Sequence, residues 1–153
     1  ERNQPAGLPP AALALASTIE TAPSDELNFG KASKPARRGE SVFVVLPYNY
    51  FVSTDEYIKY ADDYIIPQTD GWVHAGLLAS YQLILNRYPS GRYWSSLLIL
   101  EYRNDDALGH RDAVMAKVRA ELANNPKWKV ISERKQHIRE GREYVIADEI
   151  LSH

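Results

Sequence analysis

The residues with the most chemical scope are two histidines, a group of tyrosines and one arginine. His74 stands in Trp72-Val73-His74-Ala75-Gly76, and an imidazole titrates close enough to neutral pH to act as a general base or a hydrogen-bond partner for a substrate. A histidine at a helix C-terminus is equally explained by its attraction to the helix dipole. His110 lies in Ala107-Leu108-Gly109-His110-Arg111-Asp112, where the plain reading is an exposed first-turn residue beside two charges. These two are the candidate catalytic residues.

The chain has ten tyrosines, and Tyr48, Tyr50, Tyr57, Tyr60, Tyr64 and Tyr81 gather around the first strand, first helix and second strand of the predicted domain. Each joins a large apolar ring to a hydroxyl that needs a partner, which suits a pocket for a flat, partly polar organic molecule and also suits a core or a protein interface. With Trp72 and Trp94, the residues Tyr48, Tyr60, Tyr64 and Tyr81 form the candidate ligand-binding set. Arg87 completes it as a bidentate anchor for a carboxylate or phenolate; the plainer alternative is a cross-strand ion pair with Glu101. No H-x-x-x-H, H-E-x-x-H or clustered two-His-one-carboxylate pattern marks a metal site, so none is assigned. Neither a G-x-S-x-G elbow nor a Gly-rich phosphate loop occurs.

The elements that must position these groups are read from periodicity and punctuation. Ser41 to Leu46 is β-branched and nearly continuously apolar, as in a strand buried on both faces, and Pro47 is expected to end it or confine it to an edge. Ser53-Thr54-Asp55-Glu56 is a capping box. Tyr57, Tyr60, Ala61, Tyr64 and Ile65 then share one helical stripe, with Pro67 expected to kink or end the helix and Gly76 to close it. Leu77 to Arg87 and Tyr93 to Tyr102 form a hairpin about Pro89-Ser90-Gly91. Asn104-Asp105-Asp106 caps a second helix that aligns Leu108, Met115, Val118 and Leu122 until Asn124-Asn125-Pro126 stops it. Trp128 to Ile138 is ambiguous, and Glu143 to Leu151 makes a final strand.

At 153 residues the chain suits one folded domain, with 18 basic against 20 acidic residues and a net charge of −2. The basic residues are scattered apart from Lys31 to Arg38, so no nucleic-acid partner is expected. No run approaches the roughly 20 apolar residues of a membrane span. The absence of cysteine excludes disulfides and thiol chemistry and leaves the compartment open. Residues 1–40, rich in Ala, Pro, Ser and Glu, read as an N-terminal extension docked on a neighbour, ahead of a domain at 41–153. Leu13, Leu15, Ile19, Leu27 and Phe29 are its apolar contacts, and Ala11 to Ile19 would form a short helix. The chain starts at Glu1, which suggests processing or trimming, and such an extension often follows a removed export signal. Exported or periplasmic location is therefore an expectation. Ala14-Leu15-Ala16 also has the form of an A-x-A cleavage site, a weaker reading because two prolines interrupt the apolar run.

Strand, helix, strand, strand, helix, strand is the βαββαβ order of an α+β, ferredoxin-like domain with a four-stranded antiparallel sheet. Helices cover one face. Leu83-Ile84-Leu85 and Leu97-Leu98-Ile99-Leu100 place apolar side chains on both, so the helix-free face needs a cover, and a second copy is the simplest.

From Ser41 to Leu151 the chain resembles the dimeric α+β barrel superfamily. The resemblance rests on element order, the Tyr/Trp-rich first helix ending at Gly76, the turn Tyr88-Pro89-Ser90-Gly91, and Tyr93-Trp94. It implies a homodimer or higher homo-oligomer packed sheet to sheet. Members include haem-degrading monooxygenases, chlorite dismutases, cofactor-free quinol oxygenases and proteins with no known activity. The resemblance therefore admits haem, with His110 as iron ligand, without assigning a cofactor. Two functions follow as expectations. One is a binding or assembly module with an aromatic-lined cavity for a small hydrophobic or aromatic ligand. The alternative is a small oxygenase or isomerase, cofactor-free or haem-dependent. Histidines pointing into an aromatic cavity would favour the second.

Overall fold

The computed structural model describes residues 21–149. The expected helix at Ala11 to Ile19, the A-x-A site and the contacts of Leu13, Leu15 and Ile19 lie outside the described residues, as does the end of the last strand at Leu151. Strands β1 (Ser24–Lys31) and β2 (Val42–Tyr50) precede helix α1 (Thr54–Tyr60), a π-helical turn (Ala61–Ile65) and α2 (Ile66–His74). Strands β3 (Leu78–Asn86) and β4 (Ser96–Tyr102) follow, then α3 (Asp105–Gly109), α4 (Arg111–Leu122) and α5 (Pro126–Arg134). A 3₁₀ turn leads into β5 (Arg139–Gly141) and β6 (Val145–Asp148).

The fold is α+β and ferredoxin-like, but the antiparallel sheet has six strands and not the expected four. Its order is β1-β3-β4-β2-β5, with β6 also on β2. Two features account for the difference. Ser24–Lys31, counted by sequence within the extension, pairs with β3 along the edge of the chain's own sheet, so the folded unit includes Ser24. The final strand is split: β6 pairs with Val42–Val45 and β5 with Tyr48–Tyr50. Pro47 sits at the break, its carbonyl accepting from the Arg142 N–H at 2.8 Å. In an antiparallel strand a residue's N–H and C=O face the same neighbour, so the donor that proline lacks is missing from the side where the partner strand divides. Pro47 thus neither ends β2 nor makes it an edge; it interrupts the strand beside it.

The first helical segment begins as its sequence predicts, with Ser53 accepting from the Glu56 N–H and Glu56 reaching back to the Ser53 N–H. Pro67 is accommodated by a π turn in which the Ile66 N–H bonds to the Ala61 carbonyl, so a new helix starts with Pro67 in its first turn. Gly76 adopts φ +78° and ends α2, with Gly76 N–H to Val73 O and Leu77 N–H to Trp72 O, the paired bonds of a Schellman motif. The ambiguous segment is helix α5, started by Asn125, whose side chain accepts from the Lys127 and Trp128 N–H groups.

The core lies between the sheet and the helices. Val42, Val44, Leu83, Leu98 and Leu100 pack against Tyr57, Tyr64, Ile65, Trp72, Val118 and Trp128, all buried. Fully burying a side chain of this kind contributes about 1.5–3 kcal/mol. Gly71 permits α2 to meet α4 closely: a Cβ there would stand 2.5 Å from Val118 Cγ1. On the other face, Phe43, Val45, Ile84, Leu97 and Ile99 are only partly buried, and Phe29 and Val145 are 51% and 54% exposed. The alternation along β4 thus separates Leu98, at 3% exposure, from Leu97 on the bare side.

Candidate functional site

The helix-covered side of the sheet holds two aromatic groups. The first is a ladder of rings built by helical spacing. Tyr50 stacks on Tyr57 with centroids 4.4 Å apart, Tyr57 meets Tyr60 at 5.8 Å, Tyr60 stacks on Tyr64 at 5.3 Å, and Tyr64 on Trp128 at 5.1 Å. Most of its polar atoms are paired. Tyr57 Oη is 2.6 Å from Ser96 Oγ, and Trp128 Nε1 donates to the Tyr64 carbonyl at 3.3 Å. Arg139 lies 3.6 Å over the Tyr48 ring and its Nε donates to Tyr60 Oη at 2.9 Å. Burial pushes the Tyr57 hydroxyl up to about 12, its hydrogen bond to Ser96 opposing the shift. Burial likewise raises Tyr60 well above the ordinary tyrosine value, against the pull of Arg139.

The second group surrounds a half-open cleft of about 320 Å³ between the sheet and α4. Val44, Leu46, Leu98 and Leu100 form its floor. Tyr48, Trp72 and Tyr102 supply rings, and Met115 with the guanidinium groups of Arg111 and Arg119 closes the helix side. Among the described residues, no acidic one lines it. Trp72 is 5% exposed, and its Nε1 is a buried donor without a hydrogen-bond partner among the described residues. Leaving such a group unpaired costs about 1–3 kcal/mol, and because the nitrogen itself is closed to solvent the ring must turn slightly before a ligand atom could meet it. Arg119 stacks over the Trp72 ring at 5.6 Å and gives its Nε to Gln68 Oε1 at 3.0 Å. Gln68 is itself buried and anchored, donating Nε2 to the Tyr64 carbonyl at 3.0 Å. The arginine is therefore held by Nε, with its terminal nitrogens left to the cleft.

A larger cleft of about 450 Å³ separates α1 from α5 and includes Glu56, Lys59, Asp63, Arg134 and His137. Its charges of both signs are partly paired already, Asp63 with Lys127 at 2.6 Å and Glu56 with Ser53. It offers no orphaned buried group and no consistent sign of charge.

The residues singled out by sequence disperse over the fold. Tyr48 and Trp72 reach the α4 cleft, and Tyr48 also contacts Arg139. Tyr60 and Tyr64 belong to the ladder. Tyr81 lies across β1, its hydroxyl 2.7 Å from Asp70 Oδ1 and 2.8 Å from Asn28 Oδ1, and burial followed by Asp70 raises its pKa. Gly30 makes room for that ring, since a Cβ there would stand 2.2 Å from it. Trp94, in the β3–β4 loop, has its carbonyl bound by Asn86 Nδ2 at 3.2 Å. Arg87 pairs with Asp25 of β1 and not with Glu101, Nε lying 2.8 Å from Asp25 Oδ2. Glu101 instead accepts from Ser41 at 2.7 Å and from Ser80. The pair exists because β1 occupies the edge beside β3.

His74 and His110 are exposed, each with Nδ1 2.8 Å from the carbonyl four residues back, on Asp70 and Asp106 respectively. Neither lines either cleft. His110 offers no enclosed face to a haem, so the residues here do not fit that group. Sequence reasoning passed over Arg111, Arg119 and Arg139. For the first two a signal exists in Arg111-Met115-Arg119, spaced by four on one stripe of α4.

No protein-family model matches the chain, and no curated protein does. Among solved structures, it is similar to a dimeric protein of unknown function and ferredoxin-like fold from Bacteroides fragilis. The match has 17% identity and a TM-score of 0.44, and covers 72% of this chain and 97% of that one.

Proposed function

We propose that the chain is the subunit of a homodimeric binding module whose α4 cleft takes a small ligand with a hydrophobic or aromatic body. The orphaned Trp72 indole N–H beside apolar walls carries this reading. At about 320 Å³ the cleft is at the small end of ligand sites, which span about 300–1,000 Å³, so the occupant has one or two rings. The exposed positions of His74 and His110 favour binding over catalysis. A neutral two-ring probe, 2-naphthamide, titrated calorimetrically should bind once per subunit, and Met115→Trp, which fills the cleft, should abolish the signal. Binding undiminished in Met115→Trp would place the site elsewhere.

The dimer forms through the helix-free face. Phe43, Val45, Ile84, Leu97 and Ile99 give it an apolar centre, while neighbouring polar groups are satisfied within the subunit: Gln82 Nε2 donates to Glu26 at 2.6 Å, and Glu101 is bound by Ser41 and Ser80. A flat face with such internal pairing is suited to a twofold contact with its own copy. Permanent interfaces of this kind bury about 2,000 Å² or more. Leu97→Asp should yield a folded monomer by sedimentation, whereas Leu98→Asp puts a charge in the core and should unfold the subunit. A dimer that survives Leu97→Asp contradicts this interface.

The segment ahead of β1 contributes to assembly by lying on a neighbouring subunit. Its Leu13, Leu15 and Ile19 support the reading, because only burial offsets an ordering cost of about 1–2 kcal/mol per residue. Deleting residues 1–20 should lower assembly size or melting temperature; no change in either counts against it.

A further inference from the structure

We infer that the ligand of the α4 cleft is an organic acid, its carboxylate held by Arg119 with Arg111 as a second cation and its apolar body lying on the sheet. The inference rests on the cleft being the binding site and adds the chemistry of the headgroup.

Three observations lead to it. Among the described residues the cleft is lined by two arginines and by no acidic residue, so its electrostatic character is one-signed. Arg87, Arg142 and Lys127 each have a carboxylate in salt-bridge range, whereas Arg119 has none among the described residues. Arg111 gives Nη1 to the Leu108 carbonyl at 3.1 Å, and its one carboxylate in range among the described residues is Asp112, whose Oδ1 is 3.6 Å away and whose side chain is 89% exposed. Finally, Arg119 is oriented in advance. Its Nε bond to the buried Gln68 and its stacking on Trp72 fix the plane of the guanidinium, leaving the terminal N–H groups for a partner. A planar fork held this way matches a carboxylate by two parallel hydrogen bonds. With a slight turn of its ring toward the cleft, the enclosed Trp72 N–H supplies a further donor, and a carboxylate is a pure acceptor. The Arg119 guanidinium and the Trp72 N–H therefore ask for the same chemistry. Phosphate monoesters share the acceptor character, but the apolar floor of Val44, Leu98 and Leu100 favours an acid with an extended hydrophobic body.

The test compares 2-naphthoate with 2-naphthamide, which share a body and differ in charge, by isothermal titration of the full chain. The acid should bind at least tenfold more tightly than the amide. Arg119→Gln should remove that preference by lowering the acid's affinity more than the amide's, and Arg111→Gln should reduce it partially. The acid's affinity should also fall with added salt while the amide's does not. Melting temperatures confirm folding, with Arg111→Gln near the parent protein and Arg119→Gln somewhat lower because it gives up the Nε bond to buried Gln68. Equal binding of acid and amide would overturn the acid assignment and leave the cleft as the site. Failure of both probes to bind would overturn the binding reading itself, and with it this inference. An acid preference that persists in the Arg119→Gln, Arg111→Gln double variant would show that other cations make it.

Discussion

Tyr57 and Trp72 are both buried aromatic residues on helices that pack against one face of the sheet, yet their polar atoms have different fates. The Tyr57 hydroxyl meets Ser96, and around it the ladder runs through Tyr60, Tyr64 and Trp128 with Arg139 bound in. Among the described residues the Trp72 indole N–H meets no acceptor, and Arg111 and Arg119 beside it line an open cleft. The density of aromatic rings is higher in the ladder. The unmet hydrogen-bonding capacity is in the cleft. Aromatic content therefore marks where the core is consolidated, and polar satisfaction distinguishes a structural cluster from a receptive one.

The contrast predicts that the ladder can be damaged without touching ligand binding. Trp128→Ala should have the largest effect, lowering stability by about 3–5 kcal/mol in denaturant titrations because it empties one end of the stack. Wherever that variant remains folded, 2-naphthoate should bind as it does to the parent chain. Reduced affinity there would break the separation between the two regions.

Next is a pH dependence. An unfolded tyrosine titrates near about 10, whereas burial raises folded Tyr57 to about 12. A raised folded value means that the protonated form is the one favoured by folding, so this stability is complete below about pH 10 and lost as pH climbs towards 12. Tyr102 in the cleft wall is also raised by burial to about 12 and adds a parallel loss. Unfolding followed by circular dichroism should thus steepen over this alkaline window, and Tyr57→Phe should flatten it while costing about 1–3 kcal/mol at neutral pH for the abandoned Ser96 hydroxyl. An unchanged alkaline profile in Tyr57→Phe would show that this hydroxyl is not held neutral by the core.

The smallest stability effect is expected at Trp72→Phe. That change discards an unpaired donor, a gain of about 1–3 kcal/mol, and empties part of the buried ring's space, a loss of similar size, so the melting temperature should move little while 2-naphthoate binding weakens. A large loss of stability would imply that the indole N–H is satisfied after all.

Much of this arrangement was legible in the residues themselves. The capping box at Ser53, the tyrosine stripe, the hairpin and the Gly76 stop all depend on neighbours close in sequence, and the structure keeps each of them. What escaped depends on pairing over long distances. Ser24-Asp25-Glu26-Leu27-Asn28-Phe29-Gly30-Lys31 has little apolar alternation, and it becomes a strand because the edge of β3 accepts its backbone. The division of the last strand follows from a proline on the strand opposite. Asn125-Pro126 read as a helix stop and was also a helix start, which hid Trp128 from the ladder. In the cleft, Tyr48 and Trp72 announce themselves as amphipathic aromatics. Arg111 and Arg119 do not, because arginines on a helix ordinarily face water; only the position of α4 over the sheet brings them to the cleft.

The most direct test of the difference between ladder and cleft is the ¹H–¹⁵N spectrum of the indole N–H groups, of which the chain has three, on Trp72, Trp94 and Trp128. On titration with 2-naphthoate the Trp72 resonance should move downfield to saturation as its N–H gains an acceptor, while Trp128, already bonded to the Tyr64 carbonyl, stays in place. A Trp72 signal that does not move at concentrations where calorimetry shows binding, or one that moves no further than Trp128, would contradict the account.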